Sequence, residues 1–248
     1  MAAPQVRQFF PHRRFRDGLA KNAMDPRDRT HRQLFRRPRL WPQDLNFTRR
    51  KPFTTHHPAM TNQEILKCMS DTGALLTGHF QLRSGLHSDH YFQAALLLQH
   101  TLVAEKLCAE LAAPWRGGDI DVVISPAVGG LVVGQEVGRA LGTRAIFAEK
   151  DDNSNLLLRR GFTLRRGERV LVAEDVVTKG GRVQQTIDLV RAYGADPVGV
   201  VVIADRSAGG VDFGIPFRSL VKLQLQTFAP EECPLCRQGV PFDHPGSK

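Results

Sequence analysis

The sequence predicts an α/β protein whose central parallel sheet is covered by helices on both faces. Four apolar runs are nearly continuous, as in strands that are buried on both faces. Four segments with helical periodicity alternate with these runs, and the connecting turns are short. The strand-like runs are 121–125, 144–149, 169–175 and 198–205, and the helical segments are 62–72, 101–113, 130–141 and 182–193.

The ends of these elements carry local signals. Thr61-Asn62-Gln63-Glu64 has capping-box spacing, in which the Thr61 hydroxyl and the Glu64 carboxylate each satisfy an amide at the start of the first helix. The helices at 130–141 and 182–193 begin at Gly-Gly pairs. In a parallel sheet of this kind, ligands bind beyond the carboxyl ends of the strands, and the polar motifs of this sequence fall at those ends.

Composition and charge divide the chain at Met60. With 248 residues, of which 42% are hydrophobic and 24% charged, the chain suits one domain or a domain with an appendage. Residues 1–59 hold 14 Lys+Arg and 4 Asp+Glu, a charge of +10, whereas the other residues hold 20 and 21, a charge of −1. We therefore expect a basic extension at 1–59 and one folded domain at 60–248.

The extension is rich in Arg and Pro and lacks a sustained period of 3.6 or 2, so we expect it to be poorly ordered. It has no apolar stretch of the length found in a secretory signal or a membrane span, and its prolines disfavour the helix of a transit peptide. Two interpretations remain open: a basic arm for nucleic acid, or a start codon placed upstream of the true one. The capping box just after Met60 favours the second, and no membrane partner is expected.

The four cysteines, Cys68, Cys108, Cys233 and Cys236, are too few for a disulfide framework and indicate a reducing, cytoplasmic location. Cys233-Pro-Leu-Cys236 has the spacing of half a zinc site. We find no second Cys-x-x-Cys or His pair to accompany it in the folded part, where His244 is the only near neighbour. We therefore expect no metal bound directly by side chains.

The turn Thr178-Lys179-Gly180-Gly181-Arg182 follows the strand-like run 169–175 and opens a helix. Its glycines allow close approach to the backbone, and the amides and the positive end of the helix suit an anion such as phosphate. Neither the Walker pattern nor the dinucleotide fingerprint is present. Glu174 and Asp175 precede the turn, and they suit ribose hydroxyls or a metal. The alternative is a capped strand end with solvated acids.

This stretch resembles the signature with which type I phosphoribosyltransferases bind 5-phosphoribosyl 1-diphosphate (PRPP). The segments "GHFQLRSGLHSDHYFQ" (78–93) and "ISPAVGGLVVGQEVGRALG" (124–142) resemble those of orotate phosphoribosyltransferases. The resemblance implies a central parallel sheet with a small hood built from the N- and C-terminal parts of the domain. It also implies transfer of the phosphoribosyl group to orotate, with Mg²⁺ carried by PRPP, in a homodimer that serves pyrimidine biosynthesis.

The resemblance assigns site residues one by one. For orotate they are Thr178, Arg206, Tyr91 and Phe92; for PRPP they are Arg83, Lys150, Glu174, Asp175, Val176, Val177, Thr178, Lys179, Gly180, Gly181 and Arg182. Catalytic roles fall to Asp175 and Lys150, the latter in a loop that also carries Arg159 and Arg160. For Tyr91 and Phe92, plain core packing is the alternative. For Arg159 and Arg160, the alternative is an unpaired Arg-Arg in a solvated loop.

Two departures from the family pattern are Lys179, where Thr or Ala is usual, and Arg182, where Ser or Thr is usual. Either adds positive charge for the phosphate or marks an altered substrate. The loop also lacks the Lys-x-His-Gly pattern of many members. Two other functions therefore stay open: phosphoribosyl transfer to another base, and a PRPP-sensing regulator that binds nucleic acid through its N-terminal arm, although no helix-turn-helix is evident there.

Overall fold

The structure, a computed structural model, describes residues 59–82 and 84–244. Its helices are α1 (Asn62–Asp71), α2 (Ala94–Leu98), α3 (Thr101–Ala112), α4 (Gly130–Leu141), α5 (Gly181–Ala192) and α6 (Pro234–Arg237). Its strands are β1 (Leu75–Gln81), β2 (His87–Phe92), β3 (Val122–Pro126), β4 (Arg144–Lys150), β5 (Leu156–Leu158), β6 (Arg169–Val177), β7 (Asp196–Asp205), β8 (Phe217–Lys222) and β9 (Thr227–Phe228). The predicted α/β class is confirmed.

The main sheet has six strands in the order β5-β4-β3-β6-β7-β8. Strands β4, β3, β6, β7 and β8 are parallel to their neighbours, and only β5 runs antiparallel, at the edge beside β4. Each of the four predicted strands is present, with ends that differ by two residues or fewer from the prediction. Strand β8 was not predicted; its mixed burial at the opposite edge obscures the pattern.

Both faces of the sheet are buried, which explains the nearly continuous apolar runs. On one face, Leu171 packs in a core with side chains of α1, α3 and α4, such as Leu107 and Val133. On the other face, Val170 and Val172 pack in a core with Ile187 and other side chains of α5. Consecutive residues of β6 thus alternate between two layers of helices, as the pleat requires.

A second sheet, in the order β1-β2-β9, forms the hood that the resemblance implied. Strands β1 and β2 form an antiparallel hairpin, and β9 pairs with the start of β2. The C-terminal segment then returns to β1, where the Asp243 amide donates to the His79 carbonyl at 2.8 Å and the Gln81 amide donates to the Asp243 carbonyl at 3.1 Å. The hood therefore joins the two ends of the folded domain.

The start of α1 has the predicted capping box. The Glu64 amide donates to the Thr61 hydroxyl at 3.2 Å, and the Thr61 amide donates to the Glu64 carboxylate at 2.7 Å. Among residues 59–82 and 84–244, no helix has the length and apolar character that a membrane crossing requires.

Candidate active site

Three neighbouring strands of the main sheet, β3, β6 and β7, bring their carboxyl ends to one edge. The segment 127–129 follows β3, the turn 178–180 follows β6, and Arg206 follows β7. Two of these segments lead directly into helices, α4 and α5, so two positive helix ends meet at this edge. The arrangement favours a ligand that carries negative charge.

The turn after β6 is shaped by its two glycines. Gly180 is the N-cap of α5 and has φ of 75°, a left-handed conformation that favours glycine. A Cβ on Gly180 would also lie 3.0 Å from Val211 and 3.1 Å from the Phe213 ring. At Gly181, by contrast, a Cβ would meet nothing within 4 Å. The first glycine therefore packs against the protein, and the second faces open space beside the amides that start α5.

The two acids at the end of β6 differ in their surroundings. Glu174 is 4% exposed, and among the described residues no group hydrogen-bonds its Oε2 atom. Burial and the neighbouring Asp175 carboxylate together raise the pKa of Glu174 to about 9. Asp175 is half-buried, and its Oδ1 accepts a hydrogen bond from the Val176 amide at 2.8 Å. A buried carboxyl next to a second carboxylate is a site that hydroxyl donors or a cation would satisfy.

The start of α4 lies against these acids because its glycines lack side chains. A Cβ on Gly129 would lie 2.7 Å from Asp175 Oδ2, and one on Gly130 would lie 3.0 Å from Glu174 Oε1. Sequence reasoning did not assign residues 127–130 to the site individually. The sequence signal that could have found them is the Gly129-Gly130 pair at a strand-to-helix junction. A pair of the same kind did mark Gly180 and Gly181.

Arg182 connects the turn to the segment after β3. Its Nη1 donates to the Ala127 carbonyl at 3.1 Å, and its positive charge opposes the rise in the pKa of Glu174. The side chain is half-buried. Arg182 therefore lies between two parts of the site, and its guanidinium is held in place before any ligand binds. Lys179, the other departure from the family pattern, is exposed.

Arg206 is the most unusual cation of the site. Its Nε is buried and has no hydrogen-bond partner within the described part of the chain. Burial lowers the pKa of Arg206, an effect that the nearby Tyr91 opposes. The loop that follows β7 is held in place by Asp205. Its buried carboxylate accepts from the Ser207 amide at 2.8 Å and from the Ser207 hydroxyl at 2.6 Å. A partly buried guanidinium with an unsatisfied donor is prepared for a planar anion such as a carboxylate.

The aromatic pair of β2 divides between the two sides of the strand. Tyr91 is half-buried, and its ring centroid lies 5.8 Å from that of Phe80. Phe92 is 4% exposed and belongs to the core beneath α1 and α3. For Phe92 the structure thus supports core packing, the alternative to orotate binding. Tyr91 stays a candidate for the base pocket because it lies near Arg206.

The predicted diphosphate loop is less well defined by its contacts. Lys150 ends β4 and is exposed, and Arg159 is exposed as well. Arg160 donates to the Glu149 carboxylate at 2.7 Å and lies 5.9 Å from the centroid of the Phe147 ring. Arg160 therefore has protein partners, whereas Lys150 extends into solvent at the carboxyl edge of the sheet. Arg83, predicted to contact PRPP, lies outside the described residues.

Comparisons with known proteins show the family to which this chain belongs. Residues 97–231 match the family model of the phosphoribosyl transferase domain. The orotate phosphoribosyltransferase of Pelotomaculum thermopropionicum is 50% identical over 189 residues, covering 76% of this chain and 99% of that protein, and the one of Caldanaerobacter subterraneus subsp. tengcongensis is 49% identical over the same shares. The crystal structure of orotate phosphoribosyltransferase from Aeropyrum pernix superposes with a TM-score of 0.55 at 25% identity, covering 64% of this chain and 94% of that one. The chain therefore belongs to the orotate phosphoribosyltransferase family of type I phosphoribosyltransferases.

Proposed function

We propose that this protein transfers the phosphoribosyl group of PRPP to orotate, giving orotidine 5′-phosphate and diphosphate for pyrimidine (UMP) synthesis. One observation carries the proposal beyond family membership. The partly buried guanidinium of Arg206, whose Nε has no partner among the described residues, lies at the same sheet edge as the glycine turn and the acid pair. A carboxylate-bearing base beside a ribose 5-phosphate is a ligand that uses all three features.

In the proposed complex, the 5-phosphate lies on the turn Thr178–Arg182 and the ribose hydroxyls lie on Glu174 and Asp175. The open space at Gly181 and the amides at the start of α5 suit the phosphate oxygens. The unpartnered Glu174 Oε2 suits a ribose hydroxyl, which donates to it. The Arg206 guanidinium then binds the orotate carboxylate, and Thr178 and Tyr91 border the base.

The reaction is a displacement at the anomeric carbon of the ribose. As the bond to diphosphate lengthens, positive charge develops on the ribose ring, and the Asp175 carboxylate next to the hydroxyls stabilises it. Lys150, exposed at the end of β4, stabilises the negative charge of the departing diphosphate. Orotate supplies its own anionic nitrogen, so no side chain has to act as a general base.

The acid pair fits the Mg²⁺ that the family carries with PRPP. Burial and Asp175 raise the pKa of the Glu174 carboxyl to about 9, and a nearby cation would favour its ionised form beside Asp175. When bound with the substrate, Mg²⁺ would neutralise charge on the diphosphate. Glu174 and Asp175 would hold it through the ribose hydroxyls or water and not as a permanent protein site.

We also propose a homodimer and a cytoplasmic location. The dimer is the assembly that the family resemblance implies. Cysteines 68, 108, 233 and 236 are all free thiols, which fits a reducing compartment. Light scattering on the purified chain tests the assembly, and a mass of one chain at working concentration would overturn it.

A panel of bases tests the reaction. The full chain is incubated with PRPP and orotate, adenine or guanine, with and without Mg²⁺, and diphosphate release is followed. We expect diphosphate release with orotate but not with adenine or guanine, and only when Mg²⁺ is present. Release with adenine or guanine but not with orotate would identify a phosphoribosyltransferase for another base. PRPP binding without turnover of any base would indicate the PRPP-sensing regulator.

A further inference from the structure

The hood contains a cluster of four metal-ligating side chains that the proposed reaction does not use. His79 comes from β1, His87 from β2, and Cys233 and Cys236 from the C-terminal segment around α6. One ligand atom from each residue lies within 4.8 Å of all the others. His79 and His87 are each 3% exposed, and Cys233 is fully buried. Sequence reasoning gave His79 and His87 solvated or structural roles and did not connect either one with the Cys-x-x-Cys pair.

The distances within the cluster are close to those of a tetrahedral site. His79 Nε2 lies 2.9 Å from His87 Nδ1, 3.4 Å from Cys233 Sγ and 3.7 Å from Cys236 Sγ, and Cys236 Sγ lies 3.2 Å from His87 Nδ1. Zinc bonds of about 2.3 Å to sulfur and about 2.0 Å to nitrogen place tetrahedral ligands about 3.3–3.8 Å apart. Small movements of these side chains would therefore bring all four onto one ion.

Hydrogen bonding leaves this cluster unsatisfied without a cation. The Val240 carbonyl, 2.7 Å from His79 Nδ1, can only accept, so Nδ1 carries the proton and Nε2 of the neutral ring has a lone pair. If His87 Nδ1 donates to that lone pair at 2.9 Å, neither thiol has a free ring nitrogen to donate to. If Cys236 instead donates to His87 Nδ1 at 3.2 Å, two nitrogen lone pairs face each other at 2.9 Å. In known metal sites, too, a backbone carbonyl often accepts from the second ring nitrogen of a metal-binding histidine and orients the ring.

We propose that His79 Nε2, His87 Nδ1, Cys233 Sγ and Cys236 Sγ bind one zinc ion in a closed, structural site. Two thiols with two imidazoles favour zinc over the harder cations, which prefer oxygen. Both cysteines bind as thiolates, so binding releases two protons to the solvent at neutral pH. A zinc ion at this site would overturn the sequence expectation that Cys233 and Cys236 bind no metal.

The zinc ion would fasten the C-terminal segment to the hairpin β1–β2. Between the cysteines and Asp243, the Phe242 ring packs on the rings of His79 and His87, with centroid distances of 5.6 Å and 5.2 Å. The backbone contacts of Asp243 with β1 close the loop. Since Tyr91 belongs to the same hairpin, the metal holds the hood in the position from which it covers the base.

Metal analysis of the full chain, purified under reducing conditions, tests the proposal. We expect about one zinc ion per chain in the wild type. Cys236→Ser and His87→Gln should lose most of it. Cys68→Ser and His90→Gln are the matched controls, a thiol on α1 and a histidine of the same strand, and both should keep the wild-type content.

A second measurement remains informative if a ligand variant folds poorly. Wild-type protein refolded with Co²⁺ should show the intense visible bands of tetrahedral cobalt and thiolate charge transfer in the near ultraviolet. A zinc chelator should lower the Tm of the wild type and of Cys68→Ser, and leave that of Cys236→Ser unchanged. Wild-type protein without stoichiometric zinc, zinc retained in both ligand variants, or a Cys233–Cys236 disulfide would overturn the proposal.

Discussion

Two side chains at the carboxyl edge of the sheet, Arg206 and Glu174, explain most of the chemistry proposed for this protein. Each is buried or partly buried, and each has a polar atom without a partner among the described residues. Burial without a partner costs folding free energy. It raises the pKa of Glu174 and lowers that of Arg206, which in each case favours the neutral form. A ligand that supplies the missing partners recovers that free energy as binding.

At the residue scale, Arg206→Ala should weaken orotate binding selectively. Loss of hydrogen bonds to a charged group costs about 1.5–3 kcal/mol, so we expect the KM for orotate to rise by about 10- to 100-fold. The KM for PRPP should stay within about twofold, because the glycine turn and the acid pair are untouched. Steady-state kinetics for both substrates measures this, with Arg191→Ala, an exposed arginine of α5, as the control. Equal losses for both substrates would contradict the assignment.

Glu174→Gln should stabilise the protein at high pH while it weakens PRPP binding. Glu174 has a pKa of about 9 in the folded chain, above its ordinary value, so the folded state keeps a proton that the unfolded state loses as pH rises. The wild type therefore loses stability between about pH 4.5 and pH 9. Glutamine carries no such penalty, so the variant should be more stable at pH 8 by about 1–3 kcal/mol, and nearly equal at pH 5.

Denaturant unfolding of both proteins at the two pH values measures the effect. Glu231→Gln, which removes an exposed carboxylate, gives the comparison. The same variant should bind PRPP more weakly, since Glu174 can ionise when the ribose hydroxyls donate to it, whereas glutamine offers only a neutral amide oxygen. A stability difference that is constant or shrinks with rising pH would show that the Glu174 carboxyl is not held neutral by burial.

At the element scale, the glycines decide how closely the helices approach the strands, and two of them give opposite predictions. A Cβ on Gly134 would lie 2.6 Å from Ser125 Oγ, so Gly134→Ala should push α4 from β3 and cost about 1–3 kcal/mol of stability. Gly181→Ala meets nothing within 4 Å and adds a good helix former, so the Tm should not fall.

The same Gly181→Ala change places a methyl group where the 5-phosphate is proposed to lie. We expect the KM for PRPP to rise roughly tenfold or more, about 1.4 kcal/mol of lost binding. Thermal unfolding and PRPP kinetics on the two alanine variants make the comparison. A Gly181→Ala enzyme with an unchanged KM for PRPP would mean that the phosphate binds elsewhere.

How far the sequence predicts the elements depends on how local their signals are. The four central strands were predicted because burial on both faces leaves nearly continuous apolar runs, and the capping box at Thr61 marked α1. The hood strands and β8 were missed because their burial is mixed and gives no clear period. The turn 178–182 was predicted from glycines that are adjacent in sequence.

The remaining parts of the site come from contacts between distant residues, which one sequence does not reveal. His79 and Cys236 are 157 positions apart, and only the return of the C-terminal segment to β1 brings them together. The bond from Arg182 to the Ala127 carbonyl spans 55 positions. Which of Tyr91 and Phe92 faces the core also depends on the register of the hairpin, and the two residues look alike in sequence.

At the scale of the whole molecule, the charge division predicts that residues 1–59 are dispensable. A chain that begins at Met60 keeps the capping box and should match the full chain in Tm and turnover. A chain that begins at Glu64 loses the Thr61 cap and should be less stable by about 1–2 kcal/mol. Unfolding curves and activity of the three chains test this. A chain starting at Met60 that is insoluble or inactive would show that the basic segment belongs to the folded enzyme.

The most direct test of the account compares orotate with uracil, which lacks the carboxylate that Arg206 is proposed to bind. Sites built around a buried polar group reject a substrate without its partner by about 10⁴-fold in kcat/KM, and we expect the wild type to prefer orotate by that order. Arg206→Ala should reduce the preference by at least about tenfold, the share due to its hydrogen bonds. Turnover of uracil comparable to orotate, or a preference that survives Arg206→Ala intact, would contradict it.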